Sequence, residues 1–240
     1  MLSPAEVHVW YVFSDRVDDA ALLQRYAAMM SADERARHDR FMFAAHRHQF
    51  LVTRGVLRTL LAGYLEIEPA DCAFVANRYG RPSMLPAAGR TIEFNVSHTN
   101  GLVACAVALV PEIGVDVEDI ERAPLNRDLP ARYFSASEAD ALDRVPAEMR
   151  VSRFFDYWTL KEAYIKARGM GLSLPLNGFS MHLDAARPPQ ISFAATVEDD
   201  PASWQFAQFN PSPRHRLAVA ARRRGPDLTI GFREFVAGAP

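Results

Sequence analysis

The sequence predicts an α+β fold of two similar α/β halves, and three observations carry that prediction. Two long Pro-free runs with helix-compatible composition, 44–65 and 152–168, alternate with short β-branched and aromatic runs that read as strands. Each half mixes helices with a strand meander, the pattern of a duplicated unit, although residue identity between the halves is too low to show a repeat. With 240 residues and 49% hydrophobic side chains, the chain can fill a large core or two smaller ones.

The elements follow in order. Val7-His8-Val9-Trp10-Tyr11-Val12-Phe13 reads as a buried or half-buried strand, with His8 a packed or edge residue. A helix is expected over 19–29. Ser31 and Glu34 then form a capping box: the Ser side chain takes the N3 amide and the Glu reaches back to the cap. The helix they start carries Arg35, Arg37 and Arg40. The next helix, 44–65, has apolar positions at Leu51, Val52, Val56, Leu60 and Tyr64, and its Arg54 and Arg58 read as solvated. Strands are expected near 74–75, 92–96 and 102–110, with Thr99-Asn100-Gly101 as a hairpin. Pro111 marks the boundary between the halves, 1–111 and 112–240. Beyond it come a strand at 113–117, helices at 137–144 and 152–168, and strands near 179–183, 190–194, 204–209, 217–221 and 229–235.

Composition bounds the function. Net charge is −2, and no basic stripe with interleaved aromatics is present, which argues against nucleic acid. No run of about 18 apolar residues and no secretory-type leader is visible, so no membrane association is expected. Cys72 and Cys105 lie far apart and make neither a disulfide framework nor a Cys-rich metal site. A monomeric cytoplasmic protein with reduced thiols is the expectation.

Acidic residues carry the chemistry. On a helix, Glu162 falls within the apolar arc of Phe155, Trp158 and Ile165, where a carboxylate is costly unless paired, hydrogen-bonded or metal-bound. In Gly114-Val115-Asp116-Val117-Glu118, strand alternation projects Asp116 and Glu118 together while Val115 and Val117 face the core. Three carboxylates form an oxygen-only set suited to Mg²⁺, with Mn²⁺ as an alternative, and leave room for water and phosphates. The bland readings are a solvated Glu–Lys pair for Glu162 and a polar strand edge for Asp116 and Glu118. Ser97 and His98, at a strand end, suit phosphate hydrogen bonding. Hydrolase catalysis by this pair is disfavoured, because adjacent strand residues seldom reach nucleophile–base geometry. Arg37 and Arg40, next to Phe41, are candidates for a phosphate clamp.

Phe94-Asn95-Val96-Ser97-His98, Gly114-Val115-Asp116-Val117-Glu118 and Trp158-Thr159-Leu160-Lys161-Glu162-Ala163-Tyr164-Ile165-Lys166 resemble, in order and spacing, the motifs of the 4′-phosphopantetheinyl transferase superfamily in its Sfp-type class. Gly169-Met170-Gly171-Leu172-Ser173-Leu174 extends the last motif, and Tyr79-Gly80-Arg81-Pro82 resembles a further family turn. The resemblance, spanning 31–183, implies two subdomains with coenzyme A and Mg²⁺ in the cleft between them. It implies transfer of the 4′-phosphopantetheine arm of coenzyme A to a serine of an apo acyl or peptidyl carrier protein, releasing adenosine 3′,5′-bisphosphate. Asp116, Glu118 and Glu162 would hold the metal, and Asp116 would also meet the coenzyme A phosphates. Glu162 would take the serine proton, and Lys166 would stabilise or protonate the leaving group. Lys161 would contact phosphate or hold the helix. Ser97 and His98 would bind coenzyme A phosphates, Asn95 would shape that loop, and Arg37, with Arg40 and Arg81, would meet the 3′-phosphate and adenine end.

Two competing readings use part of the same residues. Another Mg²⁺-dependent phosphoryl-group enzyme, such as a nuclease, would use the carboxylates. A non-catalytic coenzyme-A-binding or carrier-docking module would need none of them. Charge and aromatic content at Arg122, Arg127, Arg132, Tyr133 and Phe134 suggest a surface for an acidic carrier domain.

Overall fold

In the computed structural model, residues 2–121, 128–171 and 174–238 are described. Arg122, Arg127, Leu172 and Ser173 lie outside them. The chain runs through two copies of one topology. In the first, β1 (Glu6–Phe13) is followed by α1 (Ala20–Met29), α2 (Ala32–Asp39), α3 (Ala44–Leu65), a hairpin of β2 (Phe74–Ala76) and β3 (Pro82–Met84), then β4 (Glu93–Thr99) and β5 (Leu102–Ala108). In the second, β6 (Ile113–Asp119) is followed by α4 (Asp128–Tyr133), α5 (Ala136–Asp143), α6 (Arg150–Arg168), a hairpin of β7 (Phe179–Asp184) and β8 (Arg187–Phe193), then β9 (Trp204–Phe209) and β10 (His215–Arg222). Both halves pair the first strand antiparallel to the last, and the last to the one before it, giving β1-β5-β4 and β6-β10-β9. The topology thus shows the duplication that residue identity hides.

The final strand, β11 (Thr229–Glu234), pairs parallel with β1. The tail of the chain therefore crosses back beyond a division at Pro111 and becomes the outer strand of the first sheet, a pairing that no local pattern announces.

Packing follows from strand alternation. Val7 and Val9 of β1, Ala104 and Ala106 of β5, Val115 and Val117 of β6, and Leu217 and Val219 of β10 form one apolar layer between the two sheets. The outer face of the first sheet buries Val103, Cys105 and Val107 against Val52, Val56 and Leu61 of α3. The outer face of the second buries Ala218 and Ala220 with Leu160, Ala163 and Tyr164 of α6. Strand β5 is covered on both faces, which is why it reads as an unbroken apolar run.

Each half also contains a buried ionic strut. Ser31 caps α2 in a full capping box, and its partner Glu34 accepts from Arg58 of α3, Nη2 at 2.8 Å and Nε at 3.0 Å. Arg58 is fully buried rather than solvated, and its Nη1 donates to the carbonyls of Pro69, Ala70 and Cys72. In the second half Ser135 caps α5, and its box partner Glu138 meets Lys161 of α6 at 2.8 Å. Lys161 Nζ donates further to Leu176 O at 2.9 Å and Phe179 O at 2.7 Å, so all three ammonium hydrogens have acceptors.

Candidate active site

Strand β6 and helix α6 build the site because they touch at a glycine. A Cβ on Gly114 would lie 2.0 Å from Ala163 O and 2.5 Å from Ala167 N, so a larger residue would force strand and helix apart. Asp116 and Glu118 stand on the same side of β6 as Gly114, with Val115 and Val117 buried on the other. Glu162 and Lys166, four residues apart on α6, share the face above them.

Lys166 Nζ donates to Asp116 Oδ1 at 2.5 Å and to Ser97 Oγ at 2.9 Å, and Ser97 Oγ donates to the same Asp116 oxygen at 3.0 Å. Val96, Ser97, His98, Asp116, Val117, Glu118, Trp158, Glu162 and Lys166 line a cleft of about 370 Å³. A second compartment of about 290 Å³ shares Val96, Glu162 and Lys166 with it, and extends to Tyr79–Pro82 and Asn95. Desolvation, then the Asp116 charge, pushes the Glu162 carboxyl above its ordinary value, while Lys166 pulls the other way.

Strand β4 supplies the third wall through side chains at every second position. Asn95 Oδ1 accepts from Val115 N at 3.0 Å, Ser97 reaches Asp116, and Thr99 Oγ1 accepts from Asp119 N at 3.2 Å. Side chains, not a backbone ladder, join β4 to β6. Ser97 lies within the strand, and not at its end, so Ser97 is buried and His98 exposed. The polar alternation Asn95, Ser97, Thr99 is visible in the sequence, and it is the signal that would have revealed this seam. Asp119, which holds Asn100 and Arg214, is a further buried carboxylate that motif reasoning missed.

The donor set fits a hard divalent cation. Every donor is a carboxylate oxygen, Asp116 Oδ2 is buried without a hydrogen-bond partner, and Glu162 is destabilised as an anion by its neighbour. Among the described residues no three such groups already converge closely enough to hold an ion. The Lys166 ammonium rests on Asp116 instead.

The remaining expected site residues stand elsewhere. Lys161 does not reach the cleft: five residues from Lys166, it points about 140° away around the helix, and its buried ammonium is used by Glu138 and two carbonyls. Of its two expected roles, it holds the helix. Arg37 and Arg40 are exposed on α2 and at its C-cap, outside the cleft lining; Arg37 lies 5.5 Å from the Phe50 ring centre and Arg40 Nε donates to Ala36 O. Arg81 lines the second compartment, but both terminal nitrogens donate to backbone carbonyls.

Comparison with known proteins covers nearly the whole chain. The family model of the 4′-phosphopantetheinyl transferase superfamily matches residues 112–220, and that of the 4′-phosphopantetheinyl transferase N-terminal region matches 19–109. The chain is 35% identical over 216 residues to the 4′-phosphopantetheinyl transferase HetI of Nostoc sp., covering 90% of this chain and 87% of that protein. It is 34% identical over 224 residues to a 4′-phosphopantetheinyl transferase of Bacillus subtilis, covering 93% and 95%. It is 27% identical over 215 residues to the transferase Sfp of Bacillus subtilis strain 168, covering 89% and 91%. With both halves matched and the acidic cleft formed by β4, β6 and α6, the chain belongs to the 4′-phosphopantetheinyl transferase superfamily, in its Sfp-type class.

Proposed function

We propose that the protein transfers the 4′-phosphopantetheine arm of coenzyme A to a serine hydroxyl of an apo acyl or peptidyl carrier protein, releasing adenosine 3′,5′-bisphosphate. The observation that carries this reading is the Ser97–Asp116–Lys166 cluster with Glu162 above it, in a chain of this family.

Asp116, Glu118 and Glu162 would hold Mg²⁺, or Mn²⁺ in its place, which when bound neutralises charge on the pyrophosphate. Ser97 and His98 would bind coenzyme A phosphates, Ser97 by turning its hydroxyl from Asp116, and Asn95 holds β6 in register beside them. Glu162 would accept the proton of the carrier serine as its oxygen attacks the β-phosphorus. As the bond from that phosphorus to the bridging oxygen breaks, Lys166 would give a hydrogen bond or proton to the leaving phosphate. Glu162 lines the cleft beside Lys166, so both proton-handling groups face the same space.

Arg37, with Arg40, would meet the 3′-phosphate from the rim of the first half. Exposed Arg132, beside Tyr133, would contact an acidic carrier; reversing its charge should raise the carrier KM and leave coenzyme A affinity alone. A monomer is the working state we propose. No helix among the described residues is long and apolar enough to cross a membrane. Two buried free thiols agree with a reducing cytoplasm.

Glu162→Gln tests the reading. A transferase should keep coenzyme A binding and lose turnover, whereas a coenzyme-A-binding module has no turnover to lose and would not respond.

A further inference from the structure

The carboxylates come from two separate elements, β6 and α6, so their spacing depends on whatever ties strand to helix. One residue of the first half does this. Arg81, at the start of the β3 arm of the β2–β3 hairpin, donates from Nη1 to Ala167 O at 2.9 Å and from Nη2 to Ile113 O at 3.2 Å. Ala167 follows Lys166 directly in α6, and Ile113 lies three residues before Asp116 in β6. A single planar guanidinium thus spans the two elements that carry Asp116, Glu118, Glu162 and Lys166. Fork geometry permits this, because the terminal nitrogens are held at a fixed separation that a lysine ammonium does not offer.

The hairpin is built to deliver the fork. Asn77 Oδ1 accepts from Tyr79 N at 2.9 Å and Arg81 N at 3.0 Å, closing the turn, and Asn77 Nδ2 donates to Gly169 O at 3.0 Å. Gly169 ends α6 with φ +63°, and a Cβ there would come within 3.2 Å of Arg81 Cδ. The left-handed backbone favours glycine there, and a side chain would in addition press on the guanidinium stem lying against it. The arginine is mostly buried, at 15% exposure, with Glu93 at 3.6 Å as its charge partner.

We infer that Arg81 is a positioning residue that sets the gap between the β6 and α6 carboxylates, and not a direct ligand of the coenzyme A 3′-phosphate. The inference rests on the proposed reaction for its functional meaning. Arg81→Gln removes the fork while keeping a polar side chain; Asn77→Ala loosens the hairpin without touching the cleft; Arg81→Lys keeps charge without the fork. Three quantities separate the roles: coenzyme A affinity by calorimetry without metal, Mn²⁺ affinity of the coenzyme A complex by electron paramagnetic resonance, and kcat for an apo carrier.

For Arg81→Gln, groups that orient metal ligands set the scale, so Mn²⁺ affinity and kcat should each fall by about tenfold or more. Coenzyme A affinity should change by less than about twofold, and Arg81→Lys should restore neither loss, since an ammonium lacks the fork. Asn77→Ala should shift the same two quantities less, and it carries the test if Arg81→Gln does not fold. Coenzyme A affinity falling tenfold with Mn²⁺ affinity intact would overturn the inference, and so would no change in any quantity. If the wild-type chain binds coenzyme A and Mn²⁺ but transfers nothing, the reaction assignment fails, and the Mn²⁺ titration alone still decides the role of Arg81.

Discussion

Strand order, capping box, buried carboxylate and long helix recur in both halves, yet only the second half carries the acidic cleft. In the first half a capping-box glutamate reaches a buried arginine, Glu34 to Arg58; in the second, Glu138 reaches a buried lysine, Lys161. Aligning these struts sets Thr59 of α3 opposite Glu162 of α6, and Gly63 opposite Lys166. On the strand below, β1 turns His8 and Trp10 toward the helix where β6 turns Asp116 and Glu118. His8 Nδ1 and Trp10 Nε1 both engage Tyr64 Oη, at 2.6 and 2.8 Å, so the corresponding pocket of about 660 Å³, which Thr59, Gly63 and Arg233 also line, presents rings where the second half presents carboxylates. The duplicated unit therefore separates scaffold from chemistry. The struts hold both halves, and a few substitutions on one strand and one helix make one groove acidic.

Variants that remove one group from the acidic groove should have the largest effect. Asp116→Asn should reduce kcat/KM by at least about a hundredfold, because it weakens the metal set and the Lys166 contact together; steady-state assays across a Mg²⁺ series check this. If Asp116→Asn retained wild-type turnover, the groove would not be the seat of the chemistry.

The struts should respond in stability. Lys161→Met leaves Glu138 buried without its cation, at a cost of about 3–5 kcal/mol, read from denaturant unfolding. Glu138→Leu added to Lys161→Met should recover part of it, although the carboxylate also serves Ser135 N and Met181 N. Arg58→Met should cost less through its glutamate, because Glu34 retains Arg54 Nε at 3.3 Å. Loss of coenzyme A affinity in folded Lys161→Met, at unchanged stability, would place that lysine at the ligand after all.

Glycines closing the two layers should differ in what they disturb. A Cβ at Gly114 meets helix backbone, whereas one at Gly55 meets the Tyr26 ring, 2.0 Å away. Gly114→Ala should lower both stability and turnover, because it lifts α6 from β6. Gly55→Ala should lower stability and leave the kcat of the folded fraction near wild type.

A pH dependence gives the smallest effect. Glu162 has a folded pKa above the ordinary 4.5, from burial and the Asp116 charge. The folded chain therefore binds more protons than the unfolded chain between these values, and without metal its stability falls as pH rises through that window. Glu162→Gln should remove this fall in a melting-temperature series.

The fold was largely legible, because element type follows local pattern. The helix over 44–65 is observed at those bounds, and the expected strands of both halves are found near their places, whereas β3 and α4 match no expected element. What depends on distant chain was not. Arg58 looked solvated because its partners, Glu34 and three carbonyls, lie on other elements. Strand β11 joins β1 across almost the whole sequence. Within the site, strand and helix periodicity put Asp116, Glu118 and Glu162 on faces that line one cleft, and the helical offset of Lys161 from Lys166 leaves it only the helix-holding one of its two expected roles. The Asn95–Ser97–Thr99 seam was readable as alternation, but its partner strand was not.

The central claim is that the acidic groove transfers phosphopantetheine. Its most direct measurement is intact-protein mass after incubating the wild-type chain with coenzyme A, Mg²⁺ and a panel of apo carriers. At least one carrier should gain the mass of a single phosphopantetheine, with none gained when Glu162→Gln replaces wild type. No gain on any carrier, with coenzyme A bound, would contradict the account.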